Sequence, residues 1–279
     1  MEADRIRILS CGGPTSGCSL VSMLGPNATH YADWQYAAAL NWRLGLSDIP
    51  PNSRCKNVKK CGEQCREPLD TDHAVACPCG PLRIRRHNDL AEYHATFIEE
   101  AGGLARLEVY VPEMSTVAPT SRDSKNRGEA WLDVWGYGVC EYPDLLLDVR
   151  GTHPAAARYR AKASSTPGSA AAVGEREKHD RYPPSQGREV VAVVHETWGR
   201  LGREGEAYLE RLAAAARRRG LRRGRDATNL LSRWRECLDG TLHKAIAIQL
   251  AAALRGLPGK RPYRATPIDL DSLEIGAAV

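Results

Sequence analysis

Hydrophobic residues recur along this chain at two spacings, and the spacing predicts where helices and strands lie. In residues 30–46, HYADWQYAAALNWRLGL, apolar side chains return every three or four positions, which predicts a helix that ends near Gly45. Residues 82–103 have the same spacing and end at a Gly–Gly pair. Three more helical segments are predicted: residues 170–182, the stretch that follows Gly205, and the stretch that follows Asn229.

Strand patterns occupy the middle of the chain. Residues 105–114 and the two halves of residues 131–154 are rich in branched and aromatic side chains, and residues 189–199 form a continuous apolar run typical of a strand buried on both faces. A polar loop is predicted at residues 115–129, and a mobile link at residues 155–169. Central strands flanked by helices indicate an α/β or α+β fold.

Two aspartates interrupt the apolar strands of residues 131–154. If the segment forms an antiparallel hairpin whose loop centres near residues 139–141, facing positions sum to about 281, and 133 plus 148 is 281. Directly paired residues have Cβ atoms about 4.5–5.5 Å apart, so the carboxylates of Asp133 and Asp148 would be neighbours. Asp144 lies too close to Asp148 to occupy a strand of its own and is predicted to be a turn residue. The alternative is that both acids lie at strand ends and face solvent.

Two neighbouring carboxylates repel each other unless a cation lies between them. A hard divalent ion such as Mg²⁺ takes one or two carboxylates from a protein and completes its shell with water and phosphate oxygens. Such an ion polarises a phosphodiester and activates the attacking water. The pattern therefore favours Asp133 and Asp148 as a magnesium site. Glu108 and Glu113 are weaker candidates for a third acid.

Composition narrows the class of protein. The 279 residues are 42% hydrophobic, and 39 Lys and Arg against 34 Asp and Glu give a net charge of +5, which permits a nucleic-acid partner without requiring one. Residues 1–13 lack the apolar core of a signal peptide, and no later segment reaches the length of a membrane span. We therefore expect an intracellular protein that does not associate with membranes, and a nuclear one if it acts on DNA.

Five of the nine cysteines crowd into residues 55–79, next to a histidine. The spacing of Cys61, Cys65, His73 and Cys77 suits tetrahedral zinc better than free thiols. Two alternatives remain open, because Cys55 can replace Cys61 and Cys79 can replace Cys77. Asp70 and Asp72 are predicted to be turn residues rather than acceptors for the zinc-binding histidine. The remaining cysteines are predicted to be inert thiols: Cys11, Cys18, Cys140 and Cys237.

Taken together, these segments resemble the C-terminal region of site-specific non-LTR retrotransposon polyproteins. There a CCHC zinc knuckle precedes a restriction-like endonuclease of the PD-(D/E)XK superfamily, which is associated with a reverse transcriptase. The resemblance extends from about Trp34 to Leu254 and is carried by the motifs LNWRLGL, DTDHAVAC, RRHNDL, DVRGTHP and EREKHDRY. It implies a restriction-endonuclease-like fold, with a mixed central sheet flanked by helices.

The resemblance also assigns roles. The two acids of the family correspond to Asp133 and Asp148, and its phosphate-binding lysine corresponds to Lys178, on the helical face that carries Glu175 and Tyr182. The sequence departs from the family pattern where Leu132 replaces a proline before the first acid and where Arg150 follows Asp148. Arg grips phosphate oxygens but stays protonated, whereas Lys can assist a water molecule.

Basic residues supply candidate nucleic-acid contacts. Arg83, Arg85 and Arg86 are predicted to bind backbone phosphates, which would fix position without reading sequence. The run of arginines in residues 217–225 either does the same or forms a solvated helix end. His87, beside the first group, is a candidate ligand or phosphate contact, but the preferred prediction is a capping or packing residue.

These inferences divide the chain into four predicted units and favour one function. The units are a helical lead segment (1–54), a CCHC zinc knuckle (55–80), a nuclease core (81–200) and C-terminal basic helices (201–279). The expected function is Mg²⁺-dependent hydrolysis of DNA, with a structural zinc ion and with RNA as an alternative partner. The competing hypothesis is a zinc-containing module of the same fold that binds nucleic acid without cleaving it.

Overall fold

The structure, a computed structural model, describes residues 2–21, 30–117, 128–139, 142–220 and 229–256. This part of the chain contains nine α-helices and four β-strands. The helices are α1 (Glu2–Ser10), α2 (Cys18–Val21), α3 (Asp33–Leu44), α4 (Thr71–Ala76), α5 (Leu82–Glu100), α6 (Ala157–Ala163), α7 (Ser169–Arg181), α8 (Arg203–Arg218) and α9 (Leu230–Arg255). The strands are β1 (Leu104–Tyr110), β2 (Trp131–Val139), β3 (Tyr142–Thr152) and β4 (Val190–Glu196).

The four strands form one mixed sheet in the order β1-β2-β3-β4. The first three strands pair antiparallel, and β4 pairs parallel to β3 after a crossover that contains α6 and α7. Helices flank this sheet. The predicted mixed α/β architecture is therefore confirmed.

The predicted hairpin register is also confirmed. Val134 pairs with Leu147 and Tyr137 pairs with Asp144, and both pairs sum to 281. Cys140 and Glu141, at the predicted loop, lie outside the described residues. Because side chains alternate along a strand, this register places Asp133 and Asp148 at facing positions.

Side chains on the two faces of β3 enter different hydrophobic clusters. Leu145, Leu147 and Val149 pack into the main core, to which α5, α8 and α9 contribute. Leu146 packs with Val190 and Tyr182 in a smaller cluster beside the end of α7. Alternation places Asp148 on the same face as Leu146, and this face carries the site.

The link predicted at residues 155–169 contains a helix instead. α6 forms there because alanine, arginine and lysine are strong helix formers and because Tyr159 is buried. The helix predicted at 170–182 is present as α7, which begins one residue earlier.

Asp144 is not the predicted turn residue, since it lies within β3. Its Oδ1 accepts a hydrogen bond from Trp135 Nε1 at 2.9 Å, and its Oδ2 lies 3.0 Å from Arg188 Nη2. These two partners compensate its charge in the strand.

None of the helices in the described ranges combines the length and the apolar character that crossing a membrane requires.

Candidate active site and metal centre

Regular pairing between β2 and β3 stops just before the two aspartates. The last paired positions are Val134 and Leu147, and beyond them the Asp133 carboxylate accepts the backbone N–H of Val149 at 2.6 Å. The side chain of Asp133 thus satisfies a backbone donor of the neighbouring strand. This contact holds its carboxylate against β3, next to Asp148.

The pairing of β2 with its other neighbour, β1, is also irregular opposite Asp133. Glu108 lies between the paired positions Leu107↔Val134 and Val109↔Leu132, opposite Asp133, and has a φ of 51°. A non-glycine residue rarely adopts this left-handed conformation, which persists only where the surrounding structure enforces it. The irregularity on both sides of Asp133 is typical of a functional site.

The two weaker acid candidates have different environments. The Glu108 side chain is exposed to solvent. Glu113 forms an ion pair with Arg188, a partner that neutralises its charge.

Lys178 on α7 reaches the site as predicted. Its Nζ lies 2.6 Å from Asp148 Oδ1, and the side chains are 15% and 5% exposed. Gly174 allows this approach, because a Cβ there would lie 2.9 Å from Val194 Cγ1 on β4. The Glu175 side chain contacts α8 instead, where its Oε1 accepts a hydrogen bond of 3.0 Å from the backbone N–H of Glu204.

His87 on α5 is a member of the cluster, so the expectation of a packing or capping residue is wrong. Its Nε2 lies 3.0 Å from Asp133 Oδ1, and its side chain is 34% exposed. The residue lies in the second turn of α5 rather than at a helix end. The one sequence signal for this role is the RRHNDL motif, because the contact joins elements that are distant in the chain.

The two carboxyl groups interact directly, and their pKa values shift in opposite directions. Burial raises the pKa of Asp148 to about 7, and the nearby Asp133 adds to the shift although Lys178 opposes it. Burial also acts on Asp133, but hydrogen bonds from His87, Asp148 and Val149 outweigh it and hold the pKa of Asp133 below its usual range. Close carboxyl groups with pKa values pushed apart in this way are typical of functional sites.

Arg150 has partners next to the aspartates. Its Nη1 lies 2.6 Å from Glu177 Oε2, and its Nη2 donates to the Tyr159 hydroxyl at 3.3 Å. It shares the Asp148 face of β3, two positions further along the strand.

The three arginines expected to contact phosphates have different environments. Arg86 is 5% exposed and donates to Gln249 Oε1 at 2.7 Å, so it belongs to the interior and is not available to a backbone phosphate. Arg85 lies 3.8 Å from Asp89, one turn along α5, with its side chain 25% exposed. Arg83 is exposed. Residues 221–228, which include the second half of the 217–225 arginine run, lie outside the described residues.

Three cysteines and one histidine form a cluster that could hold a metal ion such as zinc: Cys55, Cys65, His73 and Cys77. Their ligand atoms lie within 4.8 Å of one another. The Sγ atom of Cys77 is 3.8 Å from that of Cys55 and 3.9 Å from that of Cys65, and Cys65 Sγ is 3.5 Å from His73 Nε2. Tetrahedral zinc places neighbouring sulfurs about 3.8 Å apart, and sulfur and nitrogen about 3.6 Å apart. The donors are therefore already arranged for the ion.

Cys55 takes the place expected for Cys61. Residues 53–69 form a small hairpin in which Cys55 N donates to Glu67 O and Cys65 N donates to Asn57 O, so Cys55 and Cys65 lie on facing arms. Cys61 lies at the tip of this hairpin and is exposed. Of the two alternatives Cys77 and Cys79, the cluster contains Cys77.

The two neighbouring aspartates have structural partners. Asp70 is the N-cap of α4, and its side chain accepts the backbone N–H of His73 at 2.6 Å. Asp72 is not the predicted turn residue, since it lies in α4, and its Oδ1 is 3.3 Å from His153 Nε2 just beyond β3. The metal-binding segment is thereby fixed against the end of the sheet.

The same segment is anchored to α9. Lys56 N donates to Ala253 O at 2.8 Å, and apolar residues of both parts share one hydrophobic cluster. Gln249 on α9 accepts from Arg86 and donates to Val75 O at 3.4 Å. Gln249 therefore links α5, which carries His87, to α4, which carries His73.

Comparison with known proteins adds no assignment. No protein-family model matches the chain, and no curated protein shows significant similarity to it. The functional argument therefore depends on the residues and their geometry.

Proposed function

We propose that this chain is a metal-dependent DNA endonuclease with a restriction-endonuclease-like fold, derived from a non-LTR retroelement. One observation carries the proposal: Asp133, Asp148 and Lys178 converge from two strands and a helix on one partly accessible point. Two acids can hold the metal ion of metal-assisted phosphodiester hydrolysis, and a lysine beside them can contact the phosphate. The sequence motifs supply the further step to a retroelement nuclease.

The donor set fits Mg²⁺. Asp133 and Asp148 offer two hard carboxylates, each with lone pairs beyond those used by His87, Val149 and Lys178. When bound, Mg²⁺ would polarise the scissile phosphate and lower the pKa of a water ligand. Asp133 and Asp148 would hold the ion, and the raised pKa of Asp148 means that loading displaces a proton.

Lys178 and His87 would act beside the ion. The Lys178 ammonium, 2.6 Å from Asp148, would contact the non-bridging oxygens of the scissile phosphate and orient the attacking water. His87 would hold Asp133 in place through its 3.0 Å contact.

In the cluster of Cys55, Cys65, His73 and Cys77 we propose a structural zinc ion. Four protein ligands leave no open position for catalysis, which is typical of structural sites. The ion would hold the residue 53–69 hairpin and α4 against α9 and the end of the sheet.

Nicking of supercoiled plasmid DNA in the presence of Mg²⁺ tests the endonuclease. We expect the wild-type chain to nick and Asp148→Ala to lose at least 100-fold of the activity. If nicking is absent, or equal in both proteins, the endonuclease hypothesis is refuted.

The competing function is nucleic-acid binding without cleavage. It is favoured by the engagement of Arg150 with Glu177, at the position two residues after the second acid. This hypothesis predicts that the wild-type chain shifts DNA in an electrophoretic mobility assay, and that neither the wild type nor any variant cleaves it.

A further inference from the structure

Glu177 on α7 lies between two arginines. Its Oε2 is 2.6 Å from Arg150 Nη1 on β3 and 3.2 Å from Arg158 Nη2 on α6. The Tyr159 hydroxyl, in a buried side chain, accepts hydrogen bonds from both arginines. Three elements thus converge on a single carboxylate.

The location of this group relates it to the aspartates. Arg150 lies two residues beyond Asp148 on the same face of β3, a distance of about 7 Å. Glu177 directly precedes Lys178 in α7. Phosphates repeat every 3.4 Å or so along the axis of one DNA strand, so an offset of this size corresponds to a phosphate one or two positions from one held near Asp148.

We propose that Arg150 and Arg158 form a clamp for a DNA phosphate adjacent to the scissile one, and that Glu177 occupies this clamp while no DNA is bound. The inference rests on the proposed function, since it presupposes a DNA substrate. A carboxylate and a phosphodiester each present two oxygens to guanidinium forks, so one replaces the other without rearranging the arginines.

Exposure makes the exchange feasible. The side chains of Glu177 and Arg158 are 39% and 52% exposed, and ion pairs at such positions contribute little to stability. Glu177 can therefore return to water when a phosphate arrives. Arg150 is held in position by Tyr159 and is only 23% exposed, so it supplies the fixed half of the clamp.

The surrounding surface favours an anion. Exposed cationic side chains lie one helical turn beyond Arg158 and Glu177, on the same helical faces, and the other acids of α7 are Glu175 and Asp180. These cationic residues are Lys162 on α6 and Arg181 on α7. The burial of Glu177 is slight, and the hydrogen bond and charge of Arg150 hold its pKa below the usual range, so it competes as an anion.

The test is fluorescence anisotropy of a labelled DNA duplex without added divalent metal, measured over a series of salt concentrations. We expect Glu177→Gln to tighten binding about threefold or more, because the competing carboxylate is lost. We expect Arg158→Gln to weaken binding about fivefold and to reduce the salt slope by about one phosphate contact.

Two control variants lie on α8, which packs against the opposite face of the sheet. Glu210→Gln removes an exposed carboxylate that also pairs with an arginine, at 3.0 Å from Arg235, and Arg211→Gln removes an exposed cation. If each control changes DNA affinity as much as its counterpart, the effect is one of net charge and the clamp is refuted.

Plasmid nicking with Mg²⁺, measured on the same proteins, separates the two proposals. Binding that responds to Glu177→Gln in a chain that never nicks supports the clamp and refutes hydrolysis. Nicking by wild type with unchanged binding in both clamp variants refutes the clamp and supports hydrolysis.

Discussion

Lys178 Nζ lies 2.6 Å from Asp148 Oδ1, although 30 residues separate the two positions. The ion pair joins β3 to α7, a helix of the crossover that follows this strand, and both side chains are largely shielded from water. Burying one isolated charge here would be costly, so each partner makes the other tolerable. The pair is also the contact through which the proposed chemistry can be tested most directly.

Lys178→Met should abolish nicking while leaving the protein folded. Methionine fills the space of the lysine stem, and Asp148 can take up a proton once its partner is gone, because its pKa is already about 7. We expect a loss of at least 100-fold in nicking rate with an unchanged circular dichroism spectrum. Arg176→Met, an exposed cation on the same helix, is the matched control and should retain activity. Equal activity in the two variants would contradict the role of Lys178.

Binding of Mg²⁺ should be detectable without any substrate. A ligand that binds only the folded state raises the melting temperature, so millimolar Mg²⁺ should stabilise the wild-type chain by a few degrees. Asp148→Asn should abolish this shift, because an amide is a poor replacement for a ligating carboxylate. Asp144→Asn is the control, since Asp144 lies on the same strand but pairs with Arg188. A shift that survives in Asp148→Asn would place the ion elsewhere.

The choice between Cys55 and Cys61 can be decided by metal content. Cys55→Ser removes a buried donor from the four-residue cluster, whereas Cys61→Ser changes an exposed hairpin tip. We expect one zinc ion per chain in wild type and in Cys61→Ser. In Cys55→Ser we expect substoichiometric zinc and a lower melting temperature, because zinc binding stabilises the folded segment. Zinc lost from Cys61→Ser instead would reverse the ligand assignment.

Local patterns predicted the features that depend on neighbouring positions in one hairpin or helix. The pairing of Val134 with Leu147 follows from the period of two, and the location of Lys178 on a helix beside the sheet follows from helical spacing and the family motif. Cys61 and Cys65 have metal-ligand spacing, but the hairpin turns at Cys61 and brings Cys55 across instead. Close spacing in sequence was misleading there, because backbone pairing decides which cysteines face each other.

Other contacts between distant elements were not predicted from the sequence. His87 meets Asp133 only because α5 packs along the sheet, and Arg86, its neighbour, turns into the interior toward α9. The sequence pattern predicted that both residues belong to one exposed basic stretch. Which side of a helix is buried in such a polar stretch depends on packing partners that lie far along the chain.

A buried histidine pair should make stability depend on pH. His94 Nε2 lies 3.3 Å from His195 Nε2, and both residues are fully buried. Burial, together with the charges of Arg86 and His87, lowers the pKa of His195 to about 3, and burial lowers the pKa of His94 well below 6.5. Below about pH 6.5 the unfolded histidines bind protons that the folded ones do not, so stability is complete above this pH and falls as the pH decreases toward 3.

Urea unfolding at pH 7.5, 6.5 and 5.5 measures this dependence. Each histidine should add up to about 1.4 kcal/mol of lost unfolding free energy per pH unit below its unfolded pKa. His195→Gln keeps a neutral hydrogen-bonding side chain and should show a shallower decline than wild type between pH 6.5 and 5.5. Protonation of the zinc ligands affects both proteins equally, so the difference between the two curves reports the pair. Parallel curves would mean that His195 is not held neutral by its surroundings.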